Sequence, residues 1–140
     1  MKARRRAPGF FMRYNFPKIE HLVRKEHFDA LHEHGAFIKA FPFSLRYMEM
    51  PLEDAVQRKV AIIAPKKGLK KAIDRNRTKR QMRELYRLHK GEVYDSGKQE
   101  IWSLRYLGNR TNDYAFLEGG YKKLLMAYEE QRKEEVSHEK

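Results

Sequence analysis

One segment of the sequence constrains the fold more than any other: residues 66–90 contain eleven basic side chains and two acidic ones. If residues 74–89 form a helix, side chains three and four positions apart share a face. One face then carries Asn76, Arg80, Arg83 and Arg87, and the opposite face carries Thr78, Met82, Leu85 and His89. We therefore predict a helix with Asp74 as its N-cap residue, which packs its thin apolar face on a sheet.

The charge of this segment predicts a polyanionic partner. Its net charge of +9 supplies most of the formal net charge of +12 that the 140 residues carry. Like charges one turn apart repel each other, and a polyanion lying along the row would relieve that repulsion. A merely solvated helix face usually mixes both signs, and a helix on a membrane surface carries more bulky apolar side chains. Nucleic acid is therefore the favoured partner, and Asn76 is suited to a phosphate, a 2′-hydroxyl or a base edge.

Residues 37–48 alternate between two sets of side chains, which is typical of a half-buried strand. Pro42 interrupts the run and should make its middle an edge or a bulge. One predicted face carries Phe37, Phe41, Phe43, Leu45 and Tyr47, with Lys39 as the exception, and the other carries Ile38, Ala40, Ser44, Arg46 and Met48.

The remaining patterns complete a single α+β domain. We predict a first helix over residues 19–34 that ends at Gly35, and further strands over residues 59–65 and 100–107. A final helix is indicated by the apolar stripe of Leu117, Tyr121, Leu124 and Tyr128. The predicted organisation is a disordered basic arm (1–15), one α/β sandwich domain (16–130) and a charged C-terminal tail (131–140) that frays.

Several function classes are disfavoured by the residue content. The sequence has no cysteine, so disulfides and thiolate metal sites are excluded. The apolar run at residues 60–65 is too short to span a bilayer, and the basic N-terminal residues lack the apolar core of a signal peptide. The spacing of His27, His32 and His34 is not that of a metal site, and no catalytic constellation stands out. We expect a cytoplasmic protein with no catalytic residue and no metal site of its own.

The motif at residues 75–84, R-N-R-T-K-R-Q-M-R-E, resembles the R-N-R-x-K-R-x-x-R-E helix of the bacterial ribonuclease P protein component. A Lys-rich approach precedes the helix, as it does in that family. Weaker similarity extends upstream from Phe16-Pro17-Lys18 to Gly35, and downstream through Tyr106-Leu107-Gly108 and residues 121–128. The resemblance therefore covers most of the chain, and residues 75–83 are its specific part.

The resemblance implies an αβββαβα order of elements around a central sheet packed by helices. It also implies a partner, the catalytic ribonuclease P RNA, and a substrate, precursor tRNA, whose 5′ leader the endoribonuclease holoenzyme removes. In that holoenzyme the RNA carries the chemistry with bound Mg²⁺. The protein alone is therefore expected to require no cofactor, and no obligate protein partner is evident.

The basic pattern and the resemblance together assign residues to two sites. Contact with the ribonuclease P RNA is expected from Lys66, Lys67, Lys70, Lys71, Arg75, Asn76, Arg77, Lys79, Arg80, Arg83 and Arg87. The single-stranded leader is expected in a cleft between the first helix and the sheet, at Phe28, His32, Phe43 and Arg46. His32 and Arg46 stand where family members often have an aromatic side chain, so the cleft should be less aromatic than usual. Phe41 and Leu45 are expected in the core.

Two other functions fit a basic helix. A structural RNA-binding protein, such as a ribosomal protein, would use the same face without any processing role, and the identity of the bound RNA distinguishes it. A DNA-binding module would place residues 74–89 in a major groove. Such readers usually carry fewer cations of the phosphate-binding type and act as dimers, and the sequence indicates neither.

Overall fold

The described part of the chain, residues 15–138 of a computed structural model, follows the element order αβββαβα. This order confirms the predicted α+β class. The elements are α1 (Lys25–His34), β1 (Ala36–Ala40), β2 (Phe43–Glu49), β3 (Arg58–Ile63), α2 (Ala72–His89), β4 (Glu100–Tyr106) and α3 (Tyr114–His138). Single 3₁₀ turns at Lys18–Glu20 and Lys90–Glu92 precede α1 and follow α2.

The four strands form one sheet in the order β1-β2-β4-β3. Strand β2 is antiparallel to both of its neighbours, whereas β3 and β4 are parallel and are connected through α2. Helices α2 and α3 cover one face of the sheet and enclose the main core. Helix α1 lies on the other face, over a smaller cluster formed by Leu22, Leu31, Ala61 and Ile101.

The main core is rich in aromatic side chains. The predicted stripe of α3 is buried against the sheet, as is Trp102 of β4. Tyr128 packs edge-on against Trp102 with the ring centroids 5.1 Å apart, a favoured geometry for aromatic pairs. At Gly120, α3 passes so close to the turn between β1 and β2 that a Cβ atom there would lie 2.5 Å from Cδ of Pro42. This contact gives a physical reason for a glycine inside a helix, where it otherwise lowers helix stability.

The alternating run of residues 37–48 is a hairpin rather than one strand. Its two strands are joined by a turn at Phe41-Pro42, and this turn changes the phase of the alternation. Ile38 and Phe43 both face the main core, whereas Phe37 pairs with Arg46 and lies on the opposite face of the sheet. The prediction that Phe37 shares a face with Phe43 was therefore wrong.

Two side chains near this turn, Phe41 and Leu45, were expected in the core, and only one of them is buried there. Leu45 is fully buried in the main core, as predicted. Phe41 is 60% exposed and packs edge-on against Phe116 of α3, with the ring centroids 6.5 Å apart. The expectation that Phe41 belongs to the core was wrong, because the turn lifts it out of the strand.

Both predicted helix starts differ from the structure. Helix α2 begins at Ala72 after Lys71, whose side chain makes no capping hydrogen bond. Asp74 is therefore not the N-cap residue; it lies in the first turn, where a carboxylate interacts favourably with the helix dipole. Helix α1 begins at Lys25 rather than at residue 19. The residues before it follow the sheet instead, since the backbone N–H of Leu22 donates to the carbonyl of Val60.

Helix α3 extends further than the sequence predicts. The segment predicted as a fraying tail continues the helix to His138, and Arg132 within it is buried against Glu100 of β4. The predicted basic arm lies outside the described residues, apart from Asn15. Within residues 15–138, no helix is long and apolar enough to cross a membrane.

Candidate nucleic-acid interface

Helix α2 sorts its side chains as the helical period predicts. The side facing the sheet is buried and consists of Thr78, Met82, Leu85, Tyr86 and His89. The opposite side is exposed, and we call it the cationic face of α2: Asn76, Arg77, Arg80 and Arg83. Lys79 lies beside this face and is partly buried. The structure thus brings three arginines and a neutral hydrogen-bonding amide onto one solvent-facing surface.

The loop before α2 extends this surface. Lys66, Lys67, Lys70 and Lys71 are exposed. One guanidinium nitrogen of Arg75 donates to the carbonyls of Leu69 (2.8 Å) and Lys70 (2.9 Å), which fastens the loop to the first turn of the helix. The loop also lies close to the end of β4, because a Cβ atom on Gly68 would be 2.6 Å from the Gly108 carbonyl oxygen. Arg75 therefore positions the lysines in addition to contributing its own charge.

Arg87 differs from the other arginines of α2. Its Nε donates to Glu84 Oε1 at 3.1 Å, and the side chain is partly buried. The hydrogen bond from Arg87 holds the pKa of the Glu84 carboxyl below its ordinary value. Much of the charge of Arg87 is therefore compensated within the helix, so we expect its contact with RNA to be weaker than those of the exposed Arg80 and Arg83.

A second surface lies between α1 and the opposite side of the sheet. It is an open cleft of about 430 Å³, which we call the α1 cleft. It is lined by Phe28, Leu31, His32, Phe37, Ser44, Arg46, Ile63, Ser103, Arg105 and Leu107. The lining includes three of the four residues predicted to hold the leader; their contact with RNA stays a prediction.

The fourth predicted leader residue, Phe43, cannot line this cleft. It is fully buried on the other face of the sheet, where it packs against Tyr106 and Tyr121 with ring centroids 6.0 and 6.1 Å away. The prediction for Phe43 was therefore wrong. Phe37 occupies the corresponding place in the cleft: it is 50% exposed, and the guanidinium carbon of Arg46 lies 5.1 Å from the centroid of its ring.

The α1 cleft combines aromatic rings with cations. Arg105 of β4 pairs with Ser44 and therefore points to the same side of the sheet as Arg46. No acidic residue of the described chain lines the cleft. Rings that stack on bases and cations that contact phosphates are the usual means of binding a single strand. The alternation of β4, with Leu104 on the core side, was the signal that could have identified Arg105.

Metal ligands do not cluster in the described chain. Within residues 15–138 there is no group of three or more His, Asp or Glu side chains that could hold a metal ion.

The fold and its two surfaces define a class of protein: a basic α+β domain that presents arginines on both sides of its sheet. A family profile described as Ribonuclease P matches residues 16–128 of this chain. The chain therefore belongs to the family of the bacterial ribonuclease P protein component.

Known relatives with that description are similar over little more than half of the chain. The ribonuclease P protein component of Nitrosomonas eutropha is 32% identical over 80 residues, which are 57% of this chain and 65% of the relative. That of Dictyoglomus turgidum is 36% identical over 77 residues, 55% of this chain and 61% of the relative. The matched stretch thus spans less than two thirds of either relative's length.

Solved structures share the fold at low sequence identity. The RNase P protein of Staphylococcus aureus superposes with a TM-score of 0.64 at 14% identity, over 78% of this chain and 94% of that one. The RNase P protein of Thermotoga maritima gives a TM-score of 0.60 at 20% identity, over 76% of this chain and 94% of that one. At these identities the similarity establishes the fold.

Proposed function

We propose that this chain is the protein subunit of ribonuclease P, which binds the catalytic RNA and the 5′ leader of precursor tRNA and so supports 5′ maturation of tRNA. The observation that carries the proposal is the exposed cationic face of α2, built by the R-N-R-T-K-R-Q-M-R motif in a chain that belongs to this family. The protein supplies binding and positioning, and the RNA carries out the hydrolysis in the cytoplasm.

The cationic face of α2 and the lysines of the preceding loop hold the RNA backbone. Long exposed cations suit phosphates, and each phosphate that is neutralised releases counterions, so affinity should fall steeply with salt. Asn76 supplies a neutral donor and acceptor among the cations, which suits a 2′-hydroxyl. Because Arg75 fastens the loop to the helix, loop and helix engage the RNA as one surface.

The α1 cleft holds the single-stranded leader. Phe28 and Phe37 offer rings on which unpaired bases can stack, and Arg46 and Arg105 can contact the phosphates that link those bases. Helix α2 packs on one face of the sheet and the cleft lies on the other. Catalytic RNA and leader can therefore be bound at the same time by different parts of one small domain.

The chemistry of hydrolysis is assigned to the RNA and its bound Mg²⁺, as in the family. The purified protein alone should not cleave precursor tRNA, whereas adding it to ribonuclease P RNA should raise the cleavage rate at low Mg²⁺. Cleavage by RNA-free protein that persists after nuclease treatment would contradict the proposal. Absence of any stimulation, together with copurification of ribosomal RNA, would favour the structural RNA-binding alternative.

The leader assignment is tested by replacing Phe37 with alanine. In the holoenzyme, Phe37→Ala should reduce the preference for precursor tRNA over mature tRNA about fivefold or more, because one stacked base is worth about 1–3 kcal/mol. Phe41→Ala is the matched control, since it removes an exposed ring from the same hairpin outside the cleft. Preference is measured from the affinities for precursor tRNA with a leader of several nucleotides and for mature tRNA.

Either of two outcomes would count against the leader assignment. A folded Phe37→Ala variant that keeps the full preference would place the leader elsewhere. A variant that instead loses affinity for ribonuclease P RNA itself would show that the two surfaces are not separate sites.

A further inference from the structure

A smaller cleft lies where the start of α3 meets the middle of α2. It has a volume of about 300 Å³ and is lined by Arg77, Arg80, Gln81 and Glu84 of α2 and by Tyr114 of α3. We call it the α2–α3 cleft. Two of its residues, Arg77 and Arg80, also belong to the cationic face of α2, so the cleft opens beside the proposed RNA-binding surface.

Two oxygen atoms of the cleft residues lack hydrogen-bond partners. Oε1 of Gln81 and the hydroxyl oxygen of Tyr114 are both buried, and neither is hydrogen-bonded within the described chain. Buried polar groups in proteins are nearly always paired, because leaving one unpaired is costly. Because both atoms belong to residues that line one cleft together with two arginines, a ligand in that cleft could supply the missing partners.

The orientation of the Gln81 amide defines what the ligand must offer. Nε2 of Gln81 donates to the carbonyl oxygen of Asn112 at 3.2 Å, and a carbonyl can only accept. The free atom is therefore the amide oxygen, which requires a hydrogen-bond donor and disfavours a phosphate oxygen. The ligand must combine a donor for Gln81 with an anionic group for the arginines.

Tyr114 and Glu84 complete the chemistry of the cleft. Burial raises the pKa of the Tyr114 hydroxyl, and nearby Glu118 and Glu84 raise it further, so the hydroxyl stays protonated at neutral pH and can both donate and accept. The carboxylate of Glu84 is ion-paired with Arg87, so its charge is compensated. The two remaining cations of the cleft are therefore available for an anion.

We propose that the α2–α3 cleft receives one unpaired nucleotide of the partner RNA. Arg77 and Arg80 bind its phosphate, Gln81 Oε1 accepts a hydrogen bond from its 2′-hydroxyl or from an N–H of its base, and the Tyr114 hydroxyl binds a neighbouring polar atom. The inference rests on the proposed function and assigns to the RNA interface a subsite that binds a flipped-out nucleotide. Both oxygens are buried in the free protein, so the proposal requires the exposed side chains of Arg77 and Arg80 to move outward when they bind the phosphate and to leave the oxygens accessible.

Replacing Tyr114 with phenylalanine tests the subsite, because it removes one oxygen and leaves the ring. Tyr114→Phe should weaken binding to in vitro transcribed ribonuclease P RNA about three- to tenfold, the usual effect of one lost hydrogen bond. Its melting temperature should not fall, since the lost hydroxyl has no partner in the free protein. Tyr121→Phe is the matched control: its hydroxyl is also buried and unpaired, but it lies in the main core. Affinity for the RNA should be unchanged in this variant.

Two further arms make the outcome decisive. Arg83 lies on the cationic face of α2 but outside the cleft, so Arg83→Gln should weaken RNA binding whether or not the subsite exists. If Arg83→Gln leaves RNA binding unchanged, the proposed function fails rather than the subsite.

Nucleotide-analogue interference identifies the nucleotide that the cleft binds. With the parent protein, interference should appear at one nucleotide of the RNA, and that interference should disappear with Gln81→Met. Interference by 2′-deoxy analogues assigns the donor to the sugar, and interference by bases lacking an amino or imino N–H assigns it to the base. Equal affinities for the parent and Tyr114→Phe, or equal losses in Tyr114→Phe and Tyr121→Phe, would overturn the subsite.

Discussion

Replacing Arg80 and Arg83 together with glutamine should weaken binding to ribonuclease P RNA about a hundredfold or more at low salt, without lowering thermal stability. Each hydrogen-bonded contact between an arginine and a phosphate contributes about 1.5–3 kcal/mol, and two are removed. Both side chains are exposed, and neither has an ion-pair partner within residues 15–138. Neutralising them also relieves repulsion along the helix.

Salt dependence separates direct contacts from a general effect of charge. Each lost phosphate contact should flatten the slope of log affinity against log salt by about 0.7–0.9. The charge-matched control is the double variant Lys122→Gln and Lys123→Gln, which removes the same charge from exposed positions of α3. Affinities are measured by titration between low and physiological salt. If both double variants weaken binding equally, net charge rather than the cationic face of α2 governs the affinity.

The cationic face of α2 could be predicted from sequence because it depends on one element. A helix of 18 residues keeps its period throughout, so the exposed position of Arg80 and the buried position of Met82 follow from spacing alone. The predicted start at Asp74 was wrong, since the helix begins at Ala72, but this error leaves that sorting unchanged. The stripe of α3 was predictable for the same reason.

The α1 cleft could be predicted only in part, because it depends on the phase of two strands. A turn at residues 41–42 shifts the alternation, so Phe37 and Phe43 face opposite sides although both stand at odd positions. Pro42 indicated an interruption, but a bulge and a hairpin give different phases. Three-dimensional pairing, here of Phe37 with Arg46, was needed to identify the ring that lines the cleft.

Contacts between distant segments left no signal in the sequence. Arg132 stands in a run of charged residues that reads as a solvated tail, and it lies beyond the residues that the family profile matches. In the structure it joins Glu100, 32 residues earlier in the chain, and also Glu49. Burial alone would lower the pKa of Arg132, but its hydrogen bonds with Glu49 and Glu100 raise it, so the side chain stays charged inside the domain.

Glu100 is the acceptor that these contacts share. Its carboxylate receives hydrogen bonds from Nε1 of Trp102 (3.0 Å), the hydroxyl of Tyr128 (2.5 Å) and Nε of Arg132 (2.7 Å), and it is 2% exposed. A buried carboxylate requires a compensating cation, since desolvation of an unpaired charge is expensive. The last turns of α3 are therefore attached to the sheet through Arg132, the cation that compensates the buried charge of Glu100.

Replacing Arg132 with methionine should lower the free energy of unfolding by about 3–5 kcal/mol, because it leaves the buried carboxylate of Glu100 without its ion-pair partner. Urea-induced unfolding at 25 °C measures this loss. Lys133→Met is the matched control: it removes a neighbouring exposed cation whose ion pair with Glu129 should contribute little. Adding Glu100→Gln to the Arg132→Met variant should recover part of the loss, since the orphaned charge is gone while an amide oxygen still accepts from Trp102 and Tyr128. A double variant that is less stable than Arg132→Met alone would show that Arg132 stabilises the domain by packing rather than by compensating Glu100.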